Sequence, residues 1–340
     1  MCEKNENSKI DFVISWVDGN DSEWQKEKNI YEAEHSGSEM FDTWSNPSFR
    51  YRDWGTLRYW FRGVEQCAPW VNNIYFVTWG HMPPWLNLKH PKLKIVRHGD
   101  YIPEKYLPTF NSHTIEWNMH RIPELTEKFV YFNDDCFLVN PVKEADFFKG
   151  GYPCATAGTG IVLMEADDGS ADINNMRIIN KYFDKKEVLK KNWRKWFLPR
   201  YRSRLLRTLL LLPWDYFTGM YCDHLCCPHL KSTFETLWDL EQDLLDNTCG
   251  CRFREGHNVN QWLAAGWNIV SGNFAPKGVK FGKSFFKEVD KEICSAIVRS
   301  KYKYICINDV ECDVESFLRQ KSILQEAFEA RFPQKSGFEK

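Results

Sequence analysis

The chain has 340 residues, a formal net charge of −1, 43% hydrophobic residues and 27% charged residues. A chain of this length can bury a large core, and its composition is typical of a globular protein rather than a disordered one. The near-neutral charge gives no overall attraction to nucleic acid, so we expect no nucleic-acid partner.

The first ten residues, MCEKNENSKI, are polar and lack the apolar core of a signal peptide. No apolar run approaches the ~20 residues that a membrane span needs. The sequence therefore predicts a cytoplasmic protein. Its twelve cysteines are expected to be reduced thiols rather than a disulfide framework, because disulfides belong to oxidising compartments.

Short apolar segments alternate with helical patterns along the chain. This alternation predicts an α/β fold with a mostly parallel sheet and flanking helices. A helix is also predicted from Phe110 to Leu125, with Asn111 or Ser112 as its cap. The predicted strands are 10–17, 73–79, 93–97, 129–132 and 304–309.

Two adjacent carboxylates, Asp134 and Asp135, follow the predicted strand 129–132. Ligands of open α/β sheets bind beyond the carboxyl ends of strands, and paired carboxylates there suit Mg²⁺. A solvated turn is the alternative interpretation of the same residues. Acidic turns also end two other predicted strands, at Asp18-Gly19 and at Asn308-Asp309.

The segment 185–207 contains ten Lys or Arg residues against one acidic residue, Glu187. Tryptophans and leucines interleave with these charges or follow them. Such a stretch is typical of an element that lies on an anionic membrane surface. A groove for an anionic polymer, or a core helix with a solvated basic face, would have the same composition.

Cysteines and histidines cluster in the next part of the chain. A structural zinc site needs four such ligands, although the spacing is not a pair of CxxC knuckles, and buried thiols explain it equally. Ser232 and Glu235 have capping-box spacing, which predicts a helix that begins just after His229 and offers amide groups to a phosphate. The possible zinc ligands are Cys222, His224, Cys226, Cys227, His229, Cys249 and Cys251.

The chain resembles the Stealth family, which includes bacterial capsular polysaccharide phosphotransferases and an N-acetylglucosamine-1-phosphotransferase of lysosomal enzymes. The resemblance implies an α/β fold like that of nucleotide-sugar transferases (type-A glycosyltransferases). The basic helical insertion that we expect in this chain is not part of the resemblance. The resemblance also implies transfer of a hexose or N-acetylhexosamine 1-phosphate from a UDP-sugar to a glycan hydroxyl, giving a phosphodiester and UMP. It rests on four ordered blocks: IDFVISWVDGND, RYRDWGTLRYWFRGVE through YFNDDCFL, PHL with RFREGHNVNQW, and ICINDVE.

The family's functional residues fall on Glu116, Asp135, His229 and Arg254. We expect His229 to act as general base, since an unperturbed imidazole titrates near neutrality, or to form a phosphohistidine. Arg254 is expected to bind the transferring phosphate with its planar fork, and Glu116 to orient His229 or the acceptor. Mg²⁺ or Mn²⁺ is expected on Asp134, Asp135 and Asp309. Further substrate-binding residues are expected to be Asp18, Gly19, Arg50, Arg62, Asn111 and Asn133.

We expect three parts: 1–150 for the nucleotide sugar and the metal, 151–218 as an insertion that contacts the acceptor or a membrane, and 219–340 with the histidine and arginine motifs. The expected partners are a UDP-sugar, a glycan acceptor and the anionic inner face of the cell membrane, reached through 185–212. Two alternatives remain, a metal-dependent glycosyltransferase that releases UDP and a non-enzymatic scaffold for anionic polymers.

Overall fold

The computed structural model describes residues 9–35, 48–162, 169–221, 223–299 and 301–340. The strands are β1 Ile10–Trp16, β2 Ile74–Thr78, β3 Leu93–Arg97, β4 Lys128–Phe132, β5 Cys136–Leu138, β6 Phe148–Lys149, β7 Tyr152–Ala155, β8 Cys227–Leu230, β9 Ala275–Pro276, β10 Gly282–Phe285 and β11 Tyr304–Ile307.

Helices pack on and around these strands. They are α1 Ser22–His35, α2 Leu57–Cys67, α3 His98–Tyr101, α4 Ser112–Trp117, α5 Glu144–Phe147, α6 Gly169–Tyr182, α7 Lys185–Lys191, α8 Trp193–Trp196, α9 Ser203–Leu210, α10 Lys231–Leu240, α11 Gln242–Gly250, α12 Trp262–Val270, α13 Lys291–Val298 and α14 Val314–Arg331. Short 3-10 turns span Ser48–Tyr51, Glu104–Tyr106, Met119–Arg121 and Pro199–Tyr201.

The main sheet has five strands in the order β3-β2-β1-β4-β8. The first four run parallel, which confirms the predicted α/β fold with a mostly parallel sheet. Strands β1 and β2 are almost entirely buried, as expected when helices cover both faces of a parallel sheet.

Strand β8 runs antiparallel to β4, with His229 opposite Phe129 and Cys227 opposite Tyr131. The residues that precede β8 therefore emerge at the edge where β4 ends. His229 lies back along the sheet, three residues from the end of β4, a separation of roughly 10 Å. The direction of this one strand decides which histidine reaches the acidic edge.

A second sheet, ordered β10-β11-β5, continues from the acidic turn after β4. Strand β5 begins at Cys136, directly after that turn, and pairs antiparallel with β11, where Cys306 faces Cys136. The amide of Ile307 donates to the carbonyl of Asp135 at 3.0 Å. The turn after β4 and the turn after β11 therefore lie side by side.

The hydrophobic core lies on both faces of the main sheet. Phe12 and Phe132 pack with Trp60 of α2 on one face, whereas Val13 and Tyr131 pack with other buried residues on the opposite face. This division follows from the strand geometry, since successive side chains point to opposite faces.

The predicted insertion carries β7 and helices α6 to α9. It is joined to the rest of the molecule by parallel pairing of β7 with β9 and by packing of α6 on α12. The pairing of β4 with β8 likewise joins 1–150 to 219–340. The three-part division stays a prediction.

The helix predicted from Phe110 to Leu125 is wrong in length. Only Ser112–Trp117 is α-helical, and a 3-10 turn follows it. The cap is confirmed, because the side chain of Asn111 accepts a hydrogen bond from the amide of His113 at 3.0 Å. Within the described part of the chain, every helix is too short or too polar to cross a lipid bilayer.

Candidate active site

A cleft of about 1130 Å³ opens at the carboxyl ends of β1 and β4. Its walls come from the 3-10 turn 48–51, the start of α4, the turns after β4 and β11, and the loop before α12. Binding pockets for small molecules are roughly 300–1,000 Å³, so this cleft can hold a large ligand. Seven of the predicted site residues line it: Arg50, Glu116, Asn133, Asp134, Asp135, Arg254 and Asp309.

The two carboxylates after β4 have different surroundings. Asp134 is open to the cleft, but the cleft walls limit its hydration, and this, together with the negative charge of Asp135, raises the pKa of Asp134. Burial alone would raise the pKa of Asp135 as well. The hydrogen bond and charge of His224 outweigh that effect, so the pKa of Asp135 lies below its ordinary value.

His224 lies beside this acidic pair. Its Nε2 is 3.7 Å from Oδ2 of Asp135, and its side chain is 35% exposed. One atom each of Asp135, His224 and Cys306 lie within 4.8 Å of one another. Carboxylate and imidazole groups ligate divalent cations, so the donor set fits a metal, and the closely spaced negative charges around Asp134 favour a cation there.

Asp309 reaches the cleft, but both of its oxygens are engaged. Arg52 donates to them from Nε at 3.0 Å and from Nη2 at 2.6 Å, and the indole of Trp54 donates at 3.1 Å. The structure therefore makes Asp309 the anchor of Arg52, and the prediction that it is a free metal ligand is not supported by this arrangement.

Arg254 and Glu116 also line the cleft. Nη2 of Arg254 donates to the hydroxyl of Ser112 at 2.7 Å, which ties the guanidinium to the start of α4. Glu116, on the same helix, is 6% exposed, and its Oε2 accepts the amide hydrogen of Gln261 at 3.1 Å. A cationic group and a further carboxylate thus line the same cavity as the acidic pair.

His229 does not line the cleft and is 0% exposed. Its Nε2 lies 2.7 Å from Oε1 of Gln261, which must accept, so the imidazole donates from Nε2. Burial lowers the pKa of His229 to about 4. The structure thus places this histidine behind Gln261 rather than beside an acceptor hydroxyl, because β8 carries it back along β4.

The predicted phosphate site at the start of α10 is also not formed. The amide of Lys231 donates to the carbonyl of Glu127 at 2.9 Å, and the amide of Ser232 donates to the carboxylate of Glu127 at 3.3 Å. The hydroxyl of Ser232 bonds to the same carboxylate, so the predicted capping box with Glu235 is wrong. Glu127 takes the place that a phosphate would need.

Arg62 lies outside the cleft and is 4% exposed. Its guanidinium donates to Glu339 at 2.7 and 2.9 Å, to Glu329 at 2.9 Å and to the carbonyl of Phe332 at 2.7 Å. Helix α14 and the residues after it cover the face of α2 that carries Arg62. The predicted substrate contact of Arg62 is wrong.

Asn111 also acts inside the protein. Its amide donates to the carbonyl of Phe253 and to the side chain of Asn258, both at 3.0 Å, and to the carbonyl of Cys251 at 3.3 Å. These bonds fasten the start of α4 to the loop that carries Arg254. Asn111 therefore positions the cleft wall and is not among the residues that line it.

The Asp18-Gly19 turn lies next to the cleft, after Val17, which lines it. The amide of Asp18 donates to His81 at 2.8 Å. A Cβ atom at Gly19 would lie 1.8 Å from the carbonyl oxygen of Tyr51, so glycine permits the close contact with the 3-10 turn that forms one cleft wall. Neither residue itself lines the cavity.

The cysteine and histidine cluster does not converge on one point within the described residues, and Cys222 lies outside them. His224 faces Asp135, His229 faces Gln261, and Cys226, Cys227 and Cys249 are buried thiols whose pKa burial raises. The described members of this cluster therefore do not form the zinc site that is one interpretation of their sequence. A separate group consists of Cys251, Glu255 and His257.

Sequence reasoning missed the position of His224, and it gave no role to Arg52, Asp53 or Gln261, which also line the cleft. His224 was visible only as one member of the cysteine and histidine cluster. The signal that could have singled it out is the direction of β8, which a single sequence does not reveal.

The fold and the cleft define an α/β enzyme with a charged site at the carboxyl edge of its sheet. Residues 8–36 match the Stealth protein conserved region 1, and residues 50–154 match the Stealth protein conserved region 2. A capsular polysaccharide phosphotransferase, WcwK, of Streptococcus pneumoniae is 44% identical over 97% of this chain and 98% of that protein.

Two other relatives also match along nearly the whole chain. The receptor polysaccharide phosphotransferase WefC of Streptococcus gordonii is 39% identical over 97% of this chain and 99% of that protein. The exopolysaccharide phosphotransferase cps2G of Lactiplantibacillus plantarum is 36% identical over 97% and 96%. The chain belongs to the Stealth family, and like these relatives it is a phosphotransferase.

Among solved structures, the galactosyltransferase LgtC in complex with donor and acceptor sugar analogs is similar over 93% of this chain and 95% of that chain. The TM-score is 0.37 and the sequence identity 7%. The bifunctional glycosyltransferase WbbM has a TM-score of 0.35 and 11% identity, over 97% of this chain and 53% of that chain. Similarity at these scores carries no argument about the chemistry.

Proposed function

We propose that this protein transfers a sugar 1-phosphate from a UDP-sugar to a hydroxyl of a glycan acceptor in the synthesis of a capsular or other cell-surface polysaccharide. The observation that carries the proposal is that acidic and basic side chains line one cavity. Asp134, Asp135 and Arg254 all line it. A nucleotide diphosphate needs both kinds of group, a cation held by carboxylates and a guanidinium that contacts phosphate oxygens.

The residues that would hold a divalent cation are Asp134, Asp135 and His224. Their chemistry fits Mg²⁺ or Mn²⁺, which ligate carboxylate oxygens, with Mn²⁺ more tolerant of an imidazole. A cation bound there supplies positive charge to the diphosphate. His224 takes the place that we had given to Asp309, whose oxygens are engaged by Arg52.

Arg254 binds the transferring phosphate in this proposal. Its contact with Ser112 fixes the guanidinium before substrate arrives, so less side-chain freedom is lost on binding. Arg50, which is exposed at the cleft wall, contributes a second positive charge. Asn133, beside the acidic pair, is proposed to contact the donor sugar.

Glu116 accepts the proton of the acceptor hydroxyl. The acceptor oxygen attacks the phosphorus that bears the sugar, a phosphorus–oxygen bond forms, and the bond from that phosphorus to the bridging oxygen breaks. UMP leaves with the bridging oxygen, and the hydroxyl proton passes to the carboxylate. The position of Glu116 in the cleft, fixed by the amide of Gln261, supports this role.

His229 is a positioning residue in this scheme. It donates a hydrogen bond to the side chain of Gln261, and the backbone amide of Gln261 donates to the carboxylate of Glu116. This arrangement replaces the general-base and phosphohistidine hypotheses, both of which require an imidazole at the cleft surface.

The insertion is proposed to contact an anionic membrane through 185–212. The observation that favours this contact is the exposure of three large apolar side chains, Trp193, Leu206 and Leu210, which are 56%, 59% and 64% exposed. Arg202 and Arg207 are exposed around them. Apolar groups that enter the headgroup region, surrounded by cations, are what an anionic lipid surface binds.

Sedimentation with vesicles tests the membrane contact. We expect wild-type protein to pellet with vesicles of phosphatidylcholine and phosphatidylglycerol, less so at high salt, and the variant Leu206→Ser/Leu210→Ser to stay in solution. Leu240→Ser/Leu318→Ser removes two exposed leucines elsewhere and serves as the control. Equal pelleting of both double variants would remove the proposal.

The nucleotide product tests the enzymatic proposal. Wild-type protein, a panel of UDP-sugars, Mg²⁺ or Mn²⁺ and candidate glycans are incubated together, and the released nucleotide is identified by chromatography. We expect UMP. Release of UDP instead would indicate the alternative, a glycosyltransferase that uses the same donor but attacks the anomeric carbon.

A further inference from the structure

A second, smaller pocket lies beside the cleft. It has a volume of about 100 Å³, and its walls come from β7, β8, α6, α12 and the segment 277–282. Asp172 and Trp262 line both this pocket and the cleft. The two cavities are therefore neighbours that share part of one wall.

The ammonium group of Lys277 lines this pocket. Its Nζ lies 4.6 Å from the ring centre of Tyr304, 5.3 Å from that of Phe281 and 5.7 Å from that of Phe147. Among the described residues, no hydrogen bond or ion pair joins Nζ to an acceptor. Lys277 is half-buried, and the partial loss of water around its ammonium lowers its pKa.

An ammonium group in this position is unusual for a residue with only a structural role. The rings around Nζ exclude part of its hydration, and contacts with ring faces compensate for only part of that loss. Charges that lose part of their hydration in folded proteins are normally paired, so a half-buried cation held among rings at a cavity wall is suited to an anion supplied from outside.

The charges around the pocket are consistent with an anionic ligand. Asp223 also lines it, but Arg204 donates to Asp223 at 3.0 Å and so neutralises it. The same arginine and Arg207 lie over the ring of Tyr221, another wall residue, at 4.4 and 5.6 Å. Asp172 is at the side shared with the cleft.

We propose that this pocket is a subsite for one anionic group of the acceptor glycan, with Lys277 as its counter-cation. The ligand chemistry is a singly charged oxyanion, either the carboxylate of an acidic sugar or a phosphodiester. The volume suits one such group and not a whole sugar ring. This inference rests on the proposed function, because the acceptor must occupy the cleft to reach the pocket.

The phosphodiester source has a specific consequence. The proposed reaction itself places a phosphodiester in the glycan, so an acceptor that has already been extended carries one near its end. A pocket that binds it would make the enzyme prefer extended acceptors to unmodified ones.

Lys277→Met tests the subsite, and Lys280→Met is the matched control, since it removes the same charge from an exposed position three residues away. Binding of dimethyl phosphate, methyl glucuronide and neutral methyl glucoside is measured by calorimetry. We expect wild type and Lys280→Met to bind at least one anion, and Lys277→Met to bind it roughly ten- to a hundredfold more weakly, as for a lost hydrogen bond to a charged group.

The anion that binds identifies the group that the pocket takes. Binding of dimethyl phosphate indicates a phosphodiester, and binding of methyl glucuronide indicates an acidic sugar. Equal binding by both lysine variants, or no anion binding by wild type, would overturn the inference. Lys277→Gln, which keeps a polar side chain, replaces Lys277→Met if that variant does not fold. UMP release is measured on the same preparations, so a failed subsite with normal UMP release leaves the proposed function intact.

Discussion

Two histidines five residues apart, His224 and His229, have opposite surroundings. His224 precedes β8 and lies 3.7 Å from Asp135 in the cleft, whereas His229 is inside β8, fully buried and bonded to Gln261. Both belong to one short segment rich in histidine and cysteine. The difference teaches that the direction of a strand, rather than the type of residue, decides which imidazole can meet a substrate.

The largest expected loss of activity comes from a substitution at Asp135, the carboxylate beside His224. Asp135→Asn removes the charge that His224 and a bound cation share, so we expect UMP formation to fall about a thousandfold or more, the loss of several kcal/mol of charge stabilisation. Steady-state UMP release at saturating Mn²⁺ measures it. Asp239→Asn, an exposed residue of α10, is the control, and equal rates for the two variants would show that the acidic pair is only a turn.

The two histidines themselves give the next largest effect. His224→Asn is expected to weaken Mn²⁺ binding about 10- to 100-fold, as lost metal ligands and their supports do, with a matching loss of rate at low Mn²⁺. His229→Ala is expected to lower kcat about tenfold through a displaced Glu116, without changing Mn²⁺ affinity.

His229→Asn is expected to restore part of that loss, because its amide can donate to Gln261. Titration of Mn²⁺ by electron paramagnetic resonance separates the two histidines. If His229→Ala weakened Mn²⁺ binding and His224→Asn did not, the two assignments would be reversed.

The phosphate side is tested by Arg254→Lys. Lysine keeps the charge but loses the planar fork that meets two oxygens, so we expect kcat/KM for the UDP-sugar to fall roughly 10- to 100-fold. Arg252→Lys is the matched control, since Arg252 bonds to the carbonyl of Pro108 at 2.9 Å and does not line the cleft. Equal losses in both variants would mean that Arg254 only supports its loop.

The smallest effect concerns pH and folding. Burial lowers the pKa of His229 and of His98 to about 4, and that of His120 to about 3, against an ordinary value of 6.5. Below about pH 6.5 these histidines therefore bind protons in the unfolded chain but stay neutral in the folded protein, which lowers the free energy of unfolding as the pH falls. We expect Tm, measured by calorimetry, to decrease from pH 7 to pH 5. A constant Tm over this range would contradict the buried, neutral state of these histidines.

The sequence predicted well what short segments decide. A run of strand-forming residues ending in Asp134 and Asp135 is a local signal, and the alternation of strands and helices is enough for the α/β class. Asn111 was likewise found as a helix cap from its immediate neighbours. These features depend on residues close together in the chain.

The errors come from contacts between distant segments. Arg62 has the spacing of an exposed helix face, and its burial depends on Glu339, 277 positions later. The sequence pattern predicts unpaired backbone amides at the start of α10. In the structure Glu127, which is 105 positions before Ser232, accepts hydrogen bonds from these groups. The pairing of β8 with β4 spans a similar distance. Closing such long loops costs chain entropy, and the packing of the whole fold determines which distant segments pair. Short stretches of one sequence therefore do not reveal these contacts.

Whether the acceptor oxygen forms its new bond to phosphorus or to carbon is the most direct test of the proposed reaction. The measurement is ³¹P NMR of the product formed from a UDP-sugar and an acceptor whose hydroxyl is labelled with ¹⁸O. We predict an isotope-shifted phosphodiester signal, formed together with an equal amount of UMP. A product with UDP released, and with no ¹⁸O bonded to phosphorus, would contradict the account.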